Sequence, residues 1–326
     1  GYIWASNTEA VYRWPMPDDG ALVPDGDPEI VVSGFPEQDP HDSKSIAFDE
    51  SGHLYVNVGA PSNNCQEESR TPGSPGLDPC PQLERHAGIW RFDADSLGQT
   101  QQGGTHYATG IRNVVGLDWN AADDALYVAQ HGRDMLNTLW PDLYTQEENA
   151  ELPAEEILRL TEGANAGWPY CYYDWQQDEK VLAPEYGGDG EEVGRCGQYL
   201  DPVVAFPGHW APNDLHFYRG EQFPERFRGG AFIAFHGSWN RAPLPQQGYK
   251  VSFVPFEDGT ATGEYETFAD GFAGVDPIPS RGDAEHRPVG LATGPDGALY
   301  ISDSQKGRIW RVVYTGPAED EETDEG

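Results

Sequence analysis

The residues in this chain that could do chemistry are basic, and they stand just before or just after short apolar runs. His41 lies in Pro40-His41-Asp42-Ser43-Lys44-Ser45, ahead of Ile46-Ala47-Phe48. Arg112-Asn113 precedes Val114-Val115-Gly116-Leu117, His209 precedes Asp214, and Arg287 precedes Pro288-Val289-Gly290-Leu291. His131-Gly132-Arg133-Asp134 and His236-Gly237-Ser238-Trp239-Asn240-Arg241 each follow an apolar run. Histidine can take a proton near neutral pH, and arginine can hold a carboxylate in a rigid fork. Taken singly, each reads as a surface or turn residue. At equivalent places His41, Arg112, His209 and Arg287 read as a ring of basic groups around an anionic ligand.

The elements that must position them recur. Ile46-Ala47-Phe48-Asp49-Glu50-Ser51-Gly52-His53-Leu54-Tyr55-Val56 is echoed by Gly116-Leu117-Asp118-Trp119 with Ala125-Leu126-Tyr127-Val128. A third copy is Gly290-Leu291-Ala292-Thr293-Gly294-Pro295-Asp296-Gly297-Ala298-Leu299-Tyr300-Ile301. Each copy is an apolar strand, a Gly/Asp turn and an aromatic, β-branched strand, the signature of a hairpin. Two copies continue into a further strand, Gly88-Ile89-Trp90-Arg91-Phe92 and Gly307-Arg308-Ile309-Trp310-Arg311-Val312. A repeat of three or four short strands is one blade of a β-propeller. The innermost strands of a propeller run the same way, so their starts converge on one mouth of the central channel.

Five units are legible, over 2–33, 45–108, 115–160, from 214 onward, and 289–314. The stretch 165–209, rich in Gly, Trp, Tyr and Pro, reads as an insertion over one face. The one helix expected is 152–160, after Pro153. Five units behind an abrupt opening strand predict an all-β, six-bladed propeller that lacks its first blade; a five-bladed ring is the alternative. The propeller is expected over 1–314, and 315–326 is expected to be an acidic disordered tail.

Composition narrows the class. The chain has 326 residues and a net charge of −35, from 55 acidic and 20 basic side chains. Such a surface repels nucleic acid and anionic lipid, and reads as a solvated acidic coat. No apolar run is long enough to cross a membrane, and no leader peptide is legible. The four cysteines form two local pairs, Cys65 with Cys80 and Cys171 with Cys196, each closing a Gly/Pro/Asp-rich loop. A metal site is the rival reading, but no Cys-x-x-Cys spacing occurs. Disulfides place the protein in an oxidising compartment: secreted, periplasmic or extracellular.

The phrases Arg112-Asn113-x-x-Gly116-Leu117, Gly167-Trp168-Pro169-Tyr170, Phe235-His236-Gly237-Ser238-Trp239-Asn240-Arg241 and Arg287-Pro288-Val289-Gly290 resemble the soluble quinoprotein glucose/sorbosone dehydrogenase family. The resemblance covers nearly the whole chain and is closer to the sorbosone-type branch. It implies pyrroloquinoline quinone (PQQ) and Ca²⁺ as cofactors, a sugar substrate and an external electron acceptor, a cytochrome or a quinone. On this reading His41 and Arg112 are catalytic: His41 is the base, and Arg112 stabilises the charge that develops on the quinone oxygen as hydride passes to the quinone carbon. Asn113, Lys44, His209, Arg241 and Arg287 would bind the cofactor, and the carbonyls of Gly132 and Arg133 would bind calcium. The chain departs from the family in lacking the first blade, and in reading His131-Gly132-Arg133-Asp134 where the glucose enzymes have a Gly-Pro step. Two rivals stand beside this reading. One is a calcium-dependent propeller hydrolase acting on lactones, which would need converging carboxylates and Asn in the channel rather than arginines; the other is an inactive propeller that only binds a partner.

Overall fold

A computed structural model describes residues 1–24 and 26–316. The expected tail, from residue 317 onward, lies outside the described residues. Strands dominate, and five sheets of three to five strands follow one another along the chain. Their first strands are Tyr2–Ser6, Ile46–Phe48, Val114–Asn120, Pro212–Phe217 and Pro288–Thr293. Each opens an antiparallel meander, as the repeated hairpin phrase requires. This is a five-bladed propeller arrangement. The expected sixth blade is not among the described residues.

Four apolar seams join the blades in order. Val11, Val31 and Val32 of the first blade pack on Leu54, Val56 and Trp90 of the second. Tyr55, Ile89 and Tyr107 meet Leu117, Trp119 and Leu158 of the third. Tyr127, Ile157 and Phe206 meet Leu215, Ile233 and Phe235 of the fourth. Phe232, Val251 and Phe253 meet Leu299 and Ile301 of the fifth. Aromatic rings fill these seams with large apolar area, which offsets the low apolar content of the chain. The outer flanks of the first and last blades lack such cover. Tyr2 and Ile3 are 44% and 46% exposed, and Ile309 is 68% exposed.

The blades are also stitched at their rims. Gln99–Thr100, from the second unit, pairs in parallel with Glu29–Ser33 of the first. Ala164–Asn165, which follows the third blade, pairs in parallel with Thr105–Thr109 of the second.

The helix expected over 152–160 is a strand, Glu155–Leu160, paired with Ala125–Gln130 and with Val204–Phe206. Pro153 fixes φ and removes a donor, so it closes the short helix Gln146–Glu151 rather than opening one. Burial of the strand on both faces then hides the alternation that would have marked it. The insertion is shorter than expected. Within 165–209, Cys171–Asp174 and Glu179–Leu182 form a hairpin, but Val204–Phe206 is the edge strand of the third blade.

Both cysteine pairs are disulfides, Cys65–Cys80 and Cys171–Cys196. They sit in one cluster with Trp168, Tyr170 and Leu182, which fastens the loop after His53–Val58 to the insertion.

Candidate active site at the starts of the inner strands

The site gathers where the inner strands begin. Each of the third, fourth and fifth inner strands starts with a register shift: beside Gln130, between Pro212 and Asp214, and between Pro288 and Gly290. A bulge at such a place re-aims the side chains next to it. His41 and His209 are held in the left-handed region, at φ 60° and 68°, which non-glycine residues adopt only where surrounding contacts enforce it. Gln38 enforces it at His41, donating from Nε2 to the carbonyls of His41 and Gly59 at 2.8 and 2.9 Å.

His41 Nδ1 lies 2.7 Å from the carbonyl oxygen of Ala60, so Nδ1 carries the proton and Nε2 is a bare acceptor. Burial, reinforced by the nearby charge of Arg112, pushes its pKa down to about 3. The imidazole is therefore neutral. Asn113 is buried, and its Oδ1 has no hydrogen-bond partner among the described residues. Gly59 lets the two approach: a Cβ there would stand 2.7 Å from both Asn113 Oδ1 and His41 Cβ.

Arg112 is buried and anchored on one side. Its Nε and Nη2 donate to the carbonyl and Oδ1 of Asn63 at 3.2 and 3.0 Å, and Nη2 also reaches Asp134 Oδ2 at 3.0 Å. No bond reaches Nη1 among the described residues, which leaves that nitrogen for a ligand. Burial lowers the Arg112 pKa, and Asp134 opposes the shift. The Asp134 carboxyl is raised by burial but lowered by Arg112, and the net shift is downward.

Asp134 is the hub. Its Oδ1 accepts from Asn240 Nδ2 at 2.9 Å and lies 3.6 Å from His209 Nδ1. His209 Nε2 in turn sits 2.7 Å from the carbonyl of Asn149. The structure thus brings His41, Arg112 and Asn113 together, with His209 linked to them through Asp134. His131 joins from the third blade, donating its backbone N–H to the Asn113 carbonyl at 2.9 Å; burial pushes its ring down to about 4. Arg287 stands at the start of the fifth inner strand, against the turn after the fourth blade's strand Ala231–Phe235. It is half-buried, and donates to the carbonyls of His236 and Gly237 at 2.9 and 2.6 Å.

Arg241 and Lys44 point elsewhere. Arg241 is wholly buried and donates to the carbonyls of Ala150, Gly208 and Pro245 and to the Glu151 carboxylate. It pins the turn that carries Asn240. Lys44 is also buried; its Nζ donates to the Asp42 carbonyl at 2.6 Å, and burial lowers its pKa to about 8.

The Gly132 N–H donates to Glu155 Oε2 at 3.0 Å, and Ala211 N–H to Glu155 Oε1 at 3.2 Å, so one buried carboxyl joins the third and fourth blades. Burial raises it to about 7. No hydrogen bond reaches the Gly132 or Arg133 carbonyl among the described residues. Two bare carbonyls suit a hard cation whose remaining oxygens come from a ligand or water. Among the described residues no three His, Cys, Asp or Glu side chains are grouped to hold a metal by themselves. The guanidinium donors of Arg112 and Arg287 also suit a carboxylated quinone, and the unpaired Oδ1 acceptors of Asn113 and Asn240 suit an N–H or O–H of a ligand.

Sequence reasoning missed Gly59, Asn63, Asp134 and Asn240 as site residues. Asp134 and Asn240 lay inside runs already singled out, and a carboxylate beside so many bases was the available signal. Nothing in the spacing marked Asn63. Trp239, one residue from Asn240, is 55% exposed.

The family described as TrAA12-like matches residues 1–315. A PQQ-dependent pyranose dehydrogenase of Coprinopsis cinerea is 30% identical over 286 residues, taking in 75% of this chain and 37% of that protein. The chain spans less than half the length of the curated relatives it matches. A calcium structure of the Trichoderma reesei AA12 protein superposes with a TM-score of 0.71 at 20% identity, covering 95% of this chain and 77% of that one. The holo form of the C. cinerea pyranose dehydrogenase PQQ domain superposes at 0.69 with 22% identity, covering 96% and 79%. At these identities the likeness shows the fold alone.

Proposed function

The chain belongs to the TrAA12-like family, and from that membership we propose a PQQ-dependent oxidoreductase that oxidises the CH–OH group of a sugar or sugar-derived aldehyde. The observation that carries the reading is a neutral His41 with a bare Nε2, packed against Asn113 and beside the anchored Arg112. Bound quinone would supply the two-electron acceptor, a chemistry that protein side chains lack.

The side chains supply the rest. His41 Nε2 takes the hydroxyl proton of the substrate. A base at about 3 is weak, but part of its depression comes from Arg112. An anionic ligand that neutralises Arg112 raises His41 toward its working range. Arg112 Nη1 donates to developing negative charge from a site that needs no reorganisation. Arg287 holds a carboxylate, while Arg241 and His209 position Asn240 and Asp134. The carbonyls of Gly132 and Arg133 would hold calcium, which would supply Lewis acidity there. Lys44, 2.6 Å from its own turn's carbonyl, is better placed to brace the His41 turn than to touch a ligand. Trp239 offers an exposed face on which a pyranose ring can lie.

The disulfides support an oxidising compartment and hence a secreted or periplasmic protein. No helix among the described residues is long and apolar enough to cross a membrane. The uncovered apolar flanks of the first and last blades support a sixth blade between them. The lactonase reading fits less well, because Arg112 stands in the site and no three metal-ligating side chains are grouped among the described residues.

The test is to titrate the full-length protein with PQQ and Ca²⁺ by absorbance, then to supply a panel of pyranoses and sorbosone-like aldehydes with an artificial electron acceptor. Saturable quinone binding followed by acceptor reduction is expected. Absence of quinone binding would leave the partner-binding alternative.

A further inference from the structure

A small cavity of about 20 Å³ adjoins the site, lined by Asn64, Arg112, Gly132, Arg133, Glu156 and Trp168 among others. Two of these residues carry buried donors with no partner among the described residues: Arg133 at Nε and Nη2, and Asn64 at Nδ2. Arg133 is 4% exposed and Asn64 2%. Buried polar groups are nearly always paired, so three orphan donors on one small cavity call for a guest.

The guest must accept hydrogen bonds. The lining carboxylate is already engaged on both oxygens: Glu156 accepts from Gln130 Nε2 at 2.8 Å and from Lys180 Nζ at 3.1 Å. Glu185, the ion-pair partner of Arg133, accepts from Arg133 Nη1 at 2.5 Å and from Trp140 Nε1 at 2.8 Å. A water molecule has two lone pairs and leaves one of three donors unpaired. A cavity of this size has room for about one water-sized guest, not two. A cation would meet the guanidinium charges of Arg112 and Arg133, with the already paired Glu156 carboxylate to balance them. A monatomic anion accepts from every donor around it and is drawn by both guanidinium groups.

We infer that this cavity is a binding site for a monatomic anion, a halide, held by Arg133 Nε and Nη2 and by Asn64 Nδ2. The inference rests on side-chain donors of Arg133 and Asn64 that the dehydrogenase reading does not use, so it stands whether or not that reading does. Its place in the fold is between the start of the third blade and the insertion, so occupancy would tie the two together.

The test uses crystals of the full chain soaked in sodium bromide, with data collected at the bromine edge. An anomalous peak within hydrogen-bonding distance of Arg133 Nε and Asn64 Nδ2 is expected. A light-atom peak with no anomalous signal, which would be a water, or an empty cavity would overturn the assignment. A solution measurement stands beside it. The protein should melt at higher temperature in sodium chloride than in sodium gluconate at equal ionic strength, and Asn64→Leu should show less than half that gap. Equal gaps in the two proteins would also overturn it.

Discussion

Replacing Asp134 by asparagine should destabilise the fold more than any change at an exposed ion pair. The Asp134 carboxylate is the counter-charge of Arg112, at 3.0 Å, with the two side chains only 18% and 5% exposed. Asparagine is nearly isosteric but neutral, and its NH₂ would face either the Arg112 guanidinium or the Asn240 amide, donor against donor. Leaving a buried charge without its partner costs about 3–5 kcal/mol, and the retained amide oxygen places this case at about 3. Unfolding entropy near 2.1 cal/mol/K per residue over 326 residues is about 0.7 kcal/mol/K, so Tm should fall by about 4 °C. The control is Glu266→Gln, whose pair with Arg226 is 43% and 65% exposed and is worth at most about 1 kcal/mol. Thermal unfolding followed by near-ultraviolet circular dichroism compares the two. If Asp134→Asn melts within 1 °C of the parent, or no lower than Glu266→Gln, the hub role of Asp134 is wrong.

Three further outcomes follow from the site. His41→Ala should keep quinone binding but lose about 10²–10⁴-fold in turnover, read by stopped-flow reduction; unchanged turnover would mean that another group is the base. Trp239→Ala should raise KM for pyranoses with little change in kcat, and an effect on kcat alone would remove the stacking role. His131 is buried with its pKa pushed down to about 4, below the unfolded value of 6.5. The unfolded chain therefore binds a proton first as pH falls, and this group's effect on stability worsens between about 6.5 and 4. His131→Gln should melt with a shallower acid decline than the parent between pH 7 and 5, and identical slopes would show that His131 is not buried neutral.

Much of the frame was legible because it is periodic. The Gly/Asp hairpin phrase located three of the inner strands, and apolar runs the other two, all to within two residues, since alternation and turn chemistry act locally. It failed at Glu155–Leu160, where burial on both faces erases alternation and the acidic Glu155 and Glu156 mimic a helix start. The site was legible only in part. His41, Arg112 and Asn113 stand where a repeat unit begins, so their convergence follows from topology. Arg241 stood in an equally specific phrase, yet its donors turn to Ala150, Gly208, Pro245 and Glu151. Three of these four partners lie 33 to 91 residues distant, which no local pattern encodes. Asn63 illustrates the same limit: it reaches Arg112 and Asp134 across 49 and 71 residues.

The central claim is that this chain's basic site holds an anionic quinone against His41. Its most direct measurement is an anaerobic titration of the full-length protein with PQQ in the presence of Ca²⁺, repeated with Arg112→Ala. Saturable binding at one site per chain, weakened at least tenfold by Arg112→Ala, is the predicted result. Binding that is absent, non-saturable or indifferent to Arg112 would contradict it.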